Sequence, residues 1–171
     1  SPSSFTQYFR PSILGRCRTC TIYIICRIAV CFWYIPKIII VEPENAACVL
    51  ESIKVGKNKK ISIEKESLMG GMSCDEVSLV PWEILKNSVN YCVTVSDDYI
   101  SKTVKCLANS EFSNEKIIGG ECSTPGIISL VALCNDFEIK KKINLNENSK
   151  ILLFGCEGDA DEELYQKLLN S

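Results

Sequence analysis

Three short apolar runs, Lys37–Val41 (KIIIV), Tyr91–Val95 (YCVTV) and Ile151–Phe154 (ILLF), constrain this chain more than any other feature. Runs of this length and β-branched character are the signature of strands buried on both faces of a parallel sheet. Each is followed by a polar turn and then by apolar residues at helical spacing. Glu42-Pro43-Glu44-Asn45 ends the first run, and Ala46–Val55 is expected to be a helix capped by Gly56. Pro81, in the favoured first turn, predicts a helix to about Val89. Ser96-Asp97-Asp98 offers an N-cap and two acids at the positive end of a helix reaching about Leu107. Pro125–Cys134 is almost wholly apolar and is expected to be a buried helix, and Asp161–Leu169 a closing one. The expected fold class is therefore α/β, a parallel sheet flanked by helices. Ligands of such sheets bind beyond the carboxyl ends of the strands. The informative turns are then Glu42–Asn45, Ser96–Asp98 and Cys156–Asp161.

Composition narrows the function classes. A length of 171 residues fits one domain or a piece of one, and the chain begins with Ser1, which reads as a processed product or a fragment. A net charge of −2 gives no reason to expect nucleic acid or a membrane as partner. There is no histidine, which removes the commonest general base, the usual zinc site and any Ser-His-Asp or Cys-His mechanism. The 11 cysteines include a single CxxC pair, Cys17 and Cys20, so a four-cysteine zinc site is unsupported. An odd count without regular spacing, mostly in apolar runs, fits buried free thiols in a reducing cytoplasm.

Basic residues switch type near residue 35. Residues 1–35 hold four arginines (Arg10, Arg16, Arg18, Arg27), no lysine and no acid, whereas all 15 lysines and all 21 acids follow, without one arginine. Three readings stand for residues 1–35. A membrane element is interrupted at Arg27, Pro36 and Lys37 before reaching the roughly 18 apolar residues a span needs. A targeting peptide fits the basic, acid-free composition. Out-of-frame translation joined to a true coding segment explains the switch most directly and is favoured. Residues 1–35 are expected to be an aberrant or unrelated, poorly ordered segment, and residues 36–171 the domain portion.

Three patches carry candidate chemistry. Gly119-Gly120-Glu121-Cys122-Ser123-Thr124-Pro125-Gly126 precedes the apolar helix, where Ser123 and Thr124 are candidate caps and the backbone N–H groups could hold an anion; ordinary capping is the more common use. Gly155-Cys156-Glu157-Gly158-Asp159-Ala160-Asp161 offers hard oxygen ligands at Glu157, Asp159 and Asp161 but lacks an EF-hand spacing, so no metal site is expected. Met69-Gly70-Gly71-Met72-Ser73-Cys74-Asp75-Glu76 matches neither a P-loop nor a dinucleotide fingerprint, and without histidine Cys74 and Glu76 are read as structural.

In order along the chain, PKIIIVEPENAACVLESI, LMGGMSCDE, PWEIL, VTVSDD, GGEC-x-x-PG and ILLFGCEGDADEELY resemble the last third to half of diaminopropionate ammonia-lyase. The resemblance covers about residues 36–170 without a large gap, and the strand followed by EGD-x-D is its most specific part. It implies part of the fold-type-II, tryptophan-synthase-beta-like scaffold shared with threonine dehydratase and serine racemase. It also implies pyridoxal 5'-phosphate as cofactor, a small amino-acid substrate, and a homodimer in the complete enzyme. At matching positions it implies that Cys156 faces the pyridine nitrogen, where the family more usually has threonine. Glu121 would lie near the cofactor's edge, and Gly158 and Asp159 would form the supporting turn. A thiol is a weak donor, so the Cys156 exchange weakens that contact.

Departures accompany it. Glu121-Cys122-Ser123-Thr124 stands where the family tends to have Glu-Ser-Gly-Ala, and Ser123 is costly if the position needs a positive φ. Gly70–Glu76 differs from the family's Ala-Gly-Leu-Ala-Cys-Gly-Glu, and Asp161-Glu162 from its Asp-Pro. The family's Schiff-base lysine, catalytic carboxylate and phosphate-cradling loops match positions before Pro36, and nothing in residues 1–35 resembles them. No catalytic residue is therefore nominated. The expectation is a portion of a carbon–nitrogen lyase without turnover alone, with a non-catalytic small-molecule-binding α/β remnant as the alternative.

Overall fold

The computed structural model describes residues 36–171, so the expectations for residues 1–35 lie outside the described residues. The described residues fall into two compact units, 36–97 and 98–171.

In the first unit, strand β1 (Ile39–Pro43) pairs in parallel with β2 (Tyr91–Val95), Ile39 opposite Tyr91 and Pro43 opposite Val95. Strand β2 matches its apolar run, whereas β1 begins two residues later than Lys37 and takes in Glu42 and Pro43, which the sequence reading assigned to the turn. Asn90 sets the register at the entry: its side-chain oxygen accepts the Ile38 N–H at 2.7 Å, and its own N–H donates to the Ile38 carbonyl at 3.0 Å. Between the strands run helix α1 (Cys48–Val55) and helix α2 (Leu79–Ser88). Gly56 closes α1 at φ 71°, a left-handed conformation that suits glycine. Helix α2 starts two residues before Pro81, which still lies in the first turn, where its missing N–H has no partner to lose. Ile40, Cys48, Val49, Val77, Trp82 and Leu85 form the core, with Cys74 and Cys92 packed against it.

The long link between α1 and α2 holds no helix beyond a single 3-10 turn at Gly70–Met72. Hydrogen bonds fix it instead. Ser52, fully buried, accepts the Lys59 N–H at 2.9 Å, and Asn58 donates to the Val77 carbonyl at 2.7 Å. Lys57, Lys59 and Lys60 are exposed, and Lys59 and Lys60 pair with Glu51 and Asp75, each at 3.0 Å. Asp97 holds the middle of the link: its carboxylate accepts from the Ser67 hydroxyl and, at 2.8 Å, from the Leu68 N–H. This corrects the reading of Ser96-Asp97-Asp98 as a simple helix start. Asp97 is spent on the link, a 3-10 turn covers Asp97–Tyr99, and helix α3 begins only at Ile100.

The second unit is helical. Helix α3 (Ile100–Ala108) buries Ile100, Val104 and Leu107 and packs against α6 (Glu162–Asn170), which buries Tyr165 and Leu168. Asp161 caps α6 by accepting the Leu164 N–H at 2.9 Å. Helix α4 (Pro125–Asn135) packs on α3 and on α5 (Phe137–Ile143). The sequence reading missed α5, yet its signals are local: Asp136 accepts the Ile139 N–H at 2.9 Å, and Asn144 ends the helix at φ 56°.

Two expectations fail here. Ile151–Phe154 forms no strand; it is unpaired backbone, with Leu152 48% exposed. A strand exists through its ladder, and among the described residues nothing pairs with this run. Nor is α4 buried all round: Ile128, Ser129 and Leu133 face inward while Val131 and Cys134 are exposed. A uniformly apolar helix gives no periodic signal for which side meets the core.

Candidate functional site

Two turns of the second unit meet. Gly119–Thr124 enters α4 through a 3-10 turn at Glu121–Ser123, and Gly155–Asp159 precedes α6. Glu157 is the point of contact. Its carbonyl accepts the Gly120 N–H at 3.1 Å, and its Oε2 accepts the Cys122 N–H at 3.2 Å. The Ser123 hydroxyl accepts the Glu157 N–H at 3.0 Å and donates to the Glu157 carbonyl. The chains approach so closely that a Cβ at Gly120 would lie 2.4 Å from the Gly158 carbonyl oxygen. Only glycine is accommodated there.

Ser123 therefore neither caps α4 nor suffers from backbone strain. Among the described non-glycine residues only Ser110 and Asn144 have positive φ, and Ser123 is 7% exposed. Thr124, fully buried, returns its hydroxyl to the Glu121 carbonyl at 2.7 Å, so it does not cap either. Instead of capping, the two hydroxyls bind this turn to its neighbour and to itself.

The carboxyls of Glu121 and Glu157 and the thiol of Cys122 lie within 4.8 Å of one another. Glu121 is held above the ordinary carboxylate range, first by burial and then by the Glu157 carboxyl that hydrogen-bonds it. The four expected cofactor-contact residues share this region differently. Glu121 is half-buried within the joined turns, whereas Cys156, Gly158 and Asp159 are exposed along its rim. Their neighbour Glu157, absent from that set, carries the junction. Its signal was the EGD motif itself, in which Glu157 was weighed as a hard oxygen ligand and not as the link between the turns.

In the first unit Glu42 is the group that sequence reasoning missed. It shares a face of β1 with Ile40 and is 6% exposed. Its two oxygens accept the Val49 and Leu50 N–H groups at 2.9 Å each, capping α1 from the strand, since Ala47 has no side chain to do so. Burial pushes its pKa up, and the two backbone donors oppose that rise. Two open clefts border this unit. One, of about 530 Å³, is lined by Asn45, Lys54, Lys59, Lys60 and Thr94. The other, of about 720 Å³, lies against Cys74, Asp75 and Glu76.

No family model matches the chain. Its solved structural neighbours are pyridoxal-phosphate enzymes of fold type II, including maize serine racemase, at TM-score 0.60 and 20% identity over 78% of this chain and 39% of that one. That likeness shows the fold. Within this class, the chain is similar to diaminopropionate ammonia-lyase. It is 28% identical to the Escherichia coli K12 enzyme over 134 residues, 77% of this chain and 34% of the relative. The crystal structure of the Escherichia coli enzyme in complex with an aminoacrylate-PLP azomethine reaction intermediate matches at TM-score 0.66 and 29% identity, over 77% of this chain and 33% of that chain. The chain thus spans about a third of the length of the relatives it matches.

Proposed function

We propose that residues 36–171 are the rear portion of a pyridoxal-phosphate-dependent diaminopropionate ammonia-lyase, which converts 2,3-diaminopropionate and water to pyruvate and two molecules of ammonia. The observation that carries this reading is the meeting of the Gly119–Thr124 and Gly155–Asp159 turns through Glu157, on top of the sequence and fold likeness to that enzyme. These are the two turns on which the resemblance locates Glu121, Cys156, Gly158 and Asp159.

The donor set fits the edge of a neutral pyridine ring. Cys156 offers an exposed thiol, a weak neutral donor, and burial of Glu121 on the joined turn raises the cost of a negative charge there. When bound, pyridoxal phosphate supplies the electron sink for loss of the substrate's α-proton and β-amino group. Cys156 would hold the ring nitrogen through a weak contact that does not protonate it, a setting suited to elimination. Gly158 and Asp159 would shape the turn, and Ser123 would keep Cys156 in place through Glu157.

The 171-residue chain holds no lysine at a position matching the family's cofactor-bearing one, and this stretch alone is expected to give no turnover. A homodimer and a cytoplasmic setting complete the reading. Cys48, Cys92, Cys106 and Cys134 carry free thiols, and among the described residues no helix is long and apolar enough to cross a membrane. The test is pyruvate release from 2,3-diaminopropionate with added cofactor. The chain alone should release none, whereas residues 36–171 grafted behind the front part of the Escherichia coli enzyme should restore release. A folded graft that binds substrate without releasing pyruvate would favour the small-molecule-binding alternative and overturn the lyase reading.

A further inference from the structure

We propose that the cleft of about 530 Å³ beside β1 and α1 is a binding site for a free α-amino acid in its zwitterionic form, the ammonium held by Glu44 and the carboxylate by the lysines of the link that follows α1. The cleft gathers residues from the carboxyl ends of the parallel strands, where ligands of such sheets bind, and its volume lies in the range of small-molecule sites. Glu44 and Asn45 follow β1 directly, and Thr94 is next to last in β2, opposite Glu42 in the register. Lys59, Lys60 and Ser62 come from the link, and Glu51 and Lys54 from α1.

Charges of both signs line the cleft, and they come from different elements. Among the described residues the Glu44 carboxylate makes no ion pair or hydrogen bond, and the side chains of Asn45, Ser62 and Thr94 make no hydrogen bond. Lys54 and Lys59 converge on the Glu51 carboxylate at 2.8 and 3.0 Å, so two ammonium groups share one acid. Lys60 reaches Asp75 at 3.0 Å. An ammonium carries three N–H donors, so donors remain for a ligand after these pairs have formed. With Asp75 counted, the lysines Lys54, Lys59 and Lys60 are balanced by Glu44, Glu51 and Asp75. A bare anion would meet Glu44 and a bare cation the lysines, whereas a ligand with one charge of each sign can satisfy both.

The walls are fixed before a ligand arrives. Fully buried Ser52 accepts the Lys59 N–H at 2.9 Å, and the Ile61 N–H donates to the Asp75 carbonyl at 2.8 Å. Glu42 holds the first turn of α1 through the Val49 and Leu50 N–H groups. Binding therefore costs little ordering of the chain. No residue of the cleft belongs to the joined turns at Glu121 and Glu157, so the site stands whether or not the lyase reading holds.

The test is amide NMR of the full chain titrated separately with L-alanine, propionate (the carboxylate alone) and ethylamine (the ammonium alone). Exposed ion pairs contribute little, so L-alanine should bind weakly, with a dissociation constant of about 1 mM or above. It should shift the Asn45, Ser62 and Thr94 amides saturably, and propionate and ethylamine should each bind about threefold or more weakly. Glu44→Gln, at an exposed residue, should leave the melting temperature unchanged and remove the advantage of L-alanine over propionate. Lys60→Gln should weaken L-alanine and propionate together without weakening ethylamine. Absence of saturable shifts at these amides, equal binding of the three probes, or L-alanine binding that Glu44→Gln does not change overturns the site and leaves the cofactor reading untouched.

Discussion

Ser123 and Glu157, 34 residues apart in sequence, are clasped backbone to side chain, the serine hydroxyl accepting the glutamate N–H and donating to its carbonyl. One small side chain thus satisfies both backbone groups of a residue in a turn that has no ladder of its own. Ser123→Ala removes the acceptor of the Glu157 N–H and one of the two donors to its carbonyl, which keeps the Gly120 N–H, in a site 7% exposed. The expected cost is about 1–3 kcal/mol, read as a lower urea midpoint with unchanged slope. Ser123→Gly should cost at least as much, because φ is already ordinary there and glycine adds only chain entropy.

Glu42 links stability to pH. Its folded-state pKa is raised above 4.5, so the native state binds more protons than the unfolded chain. Stability is then full below the unfolded value and is lost as pH rises from about 4.5 through the folded one. Denaturant titrations across that window should show a falling stability. Glu42→Gln should flatten the fall, and Glu121→Gln, whose folded pKa is also raised, should flatten it further.

Thiol reactivity should divide the cysteines. Burial, then the Glu42 charge, pushes Cys48 up from 9.0 to about 12, and Cys92 is pushed up to about 11 by the same two causes. Since the thiolate is the nucleophile, Cys48 should alkylate about a thousandfold more slowly than an ordinary thiol at pH 8, before any protection by burial is counted. Peptide mass spectrometry after timed iodoacetamide treatment should find exposed Cys134 and Cys156 modified first. Rapid labelling of Cys48 would contradict the packing described for the first unit.

Much of the fold was legible because its signals are local. β-branched runs marked β1 and β2, Gly56 and Asp161 marked helix ends, and the order of motifs carried the family resemblance. What escaped depends on distant partners. Ile151–Phe154 has strand composition, but a ladder needs a neighbour that residue pattern cannot supply. Asp97 looked like a helix acid because its partners, Ser67 and Leu68, lie about 30 residues earlier in the chain. Glu42 closed a strand in the sequence and caps a helix in space. In the candidate site Glu121, Cys156, Gly158 and Asp159 were named from motif position, whereas the residue joining the turns, Glu157, is revealed only by its bonds to Gly120, Cys122 and Ser123.

The account rests on the Cys156 turn facing a pyridine ring. The most direct measurement is the alkylation rate of Cys156 in the graft behind the Escherichia coli front part, with and without pyridoxal phosphate, resolved by peptide mass spectrometry. Loading should slow modification of Cys156 about tenfold or more while exposed Cys134 is unaffected. Equal rates at Cys156 in the loaded and cofactor-free protein would show that its thiol lies away from the ring.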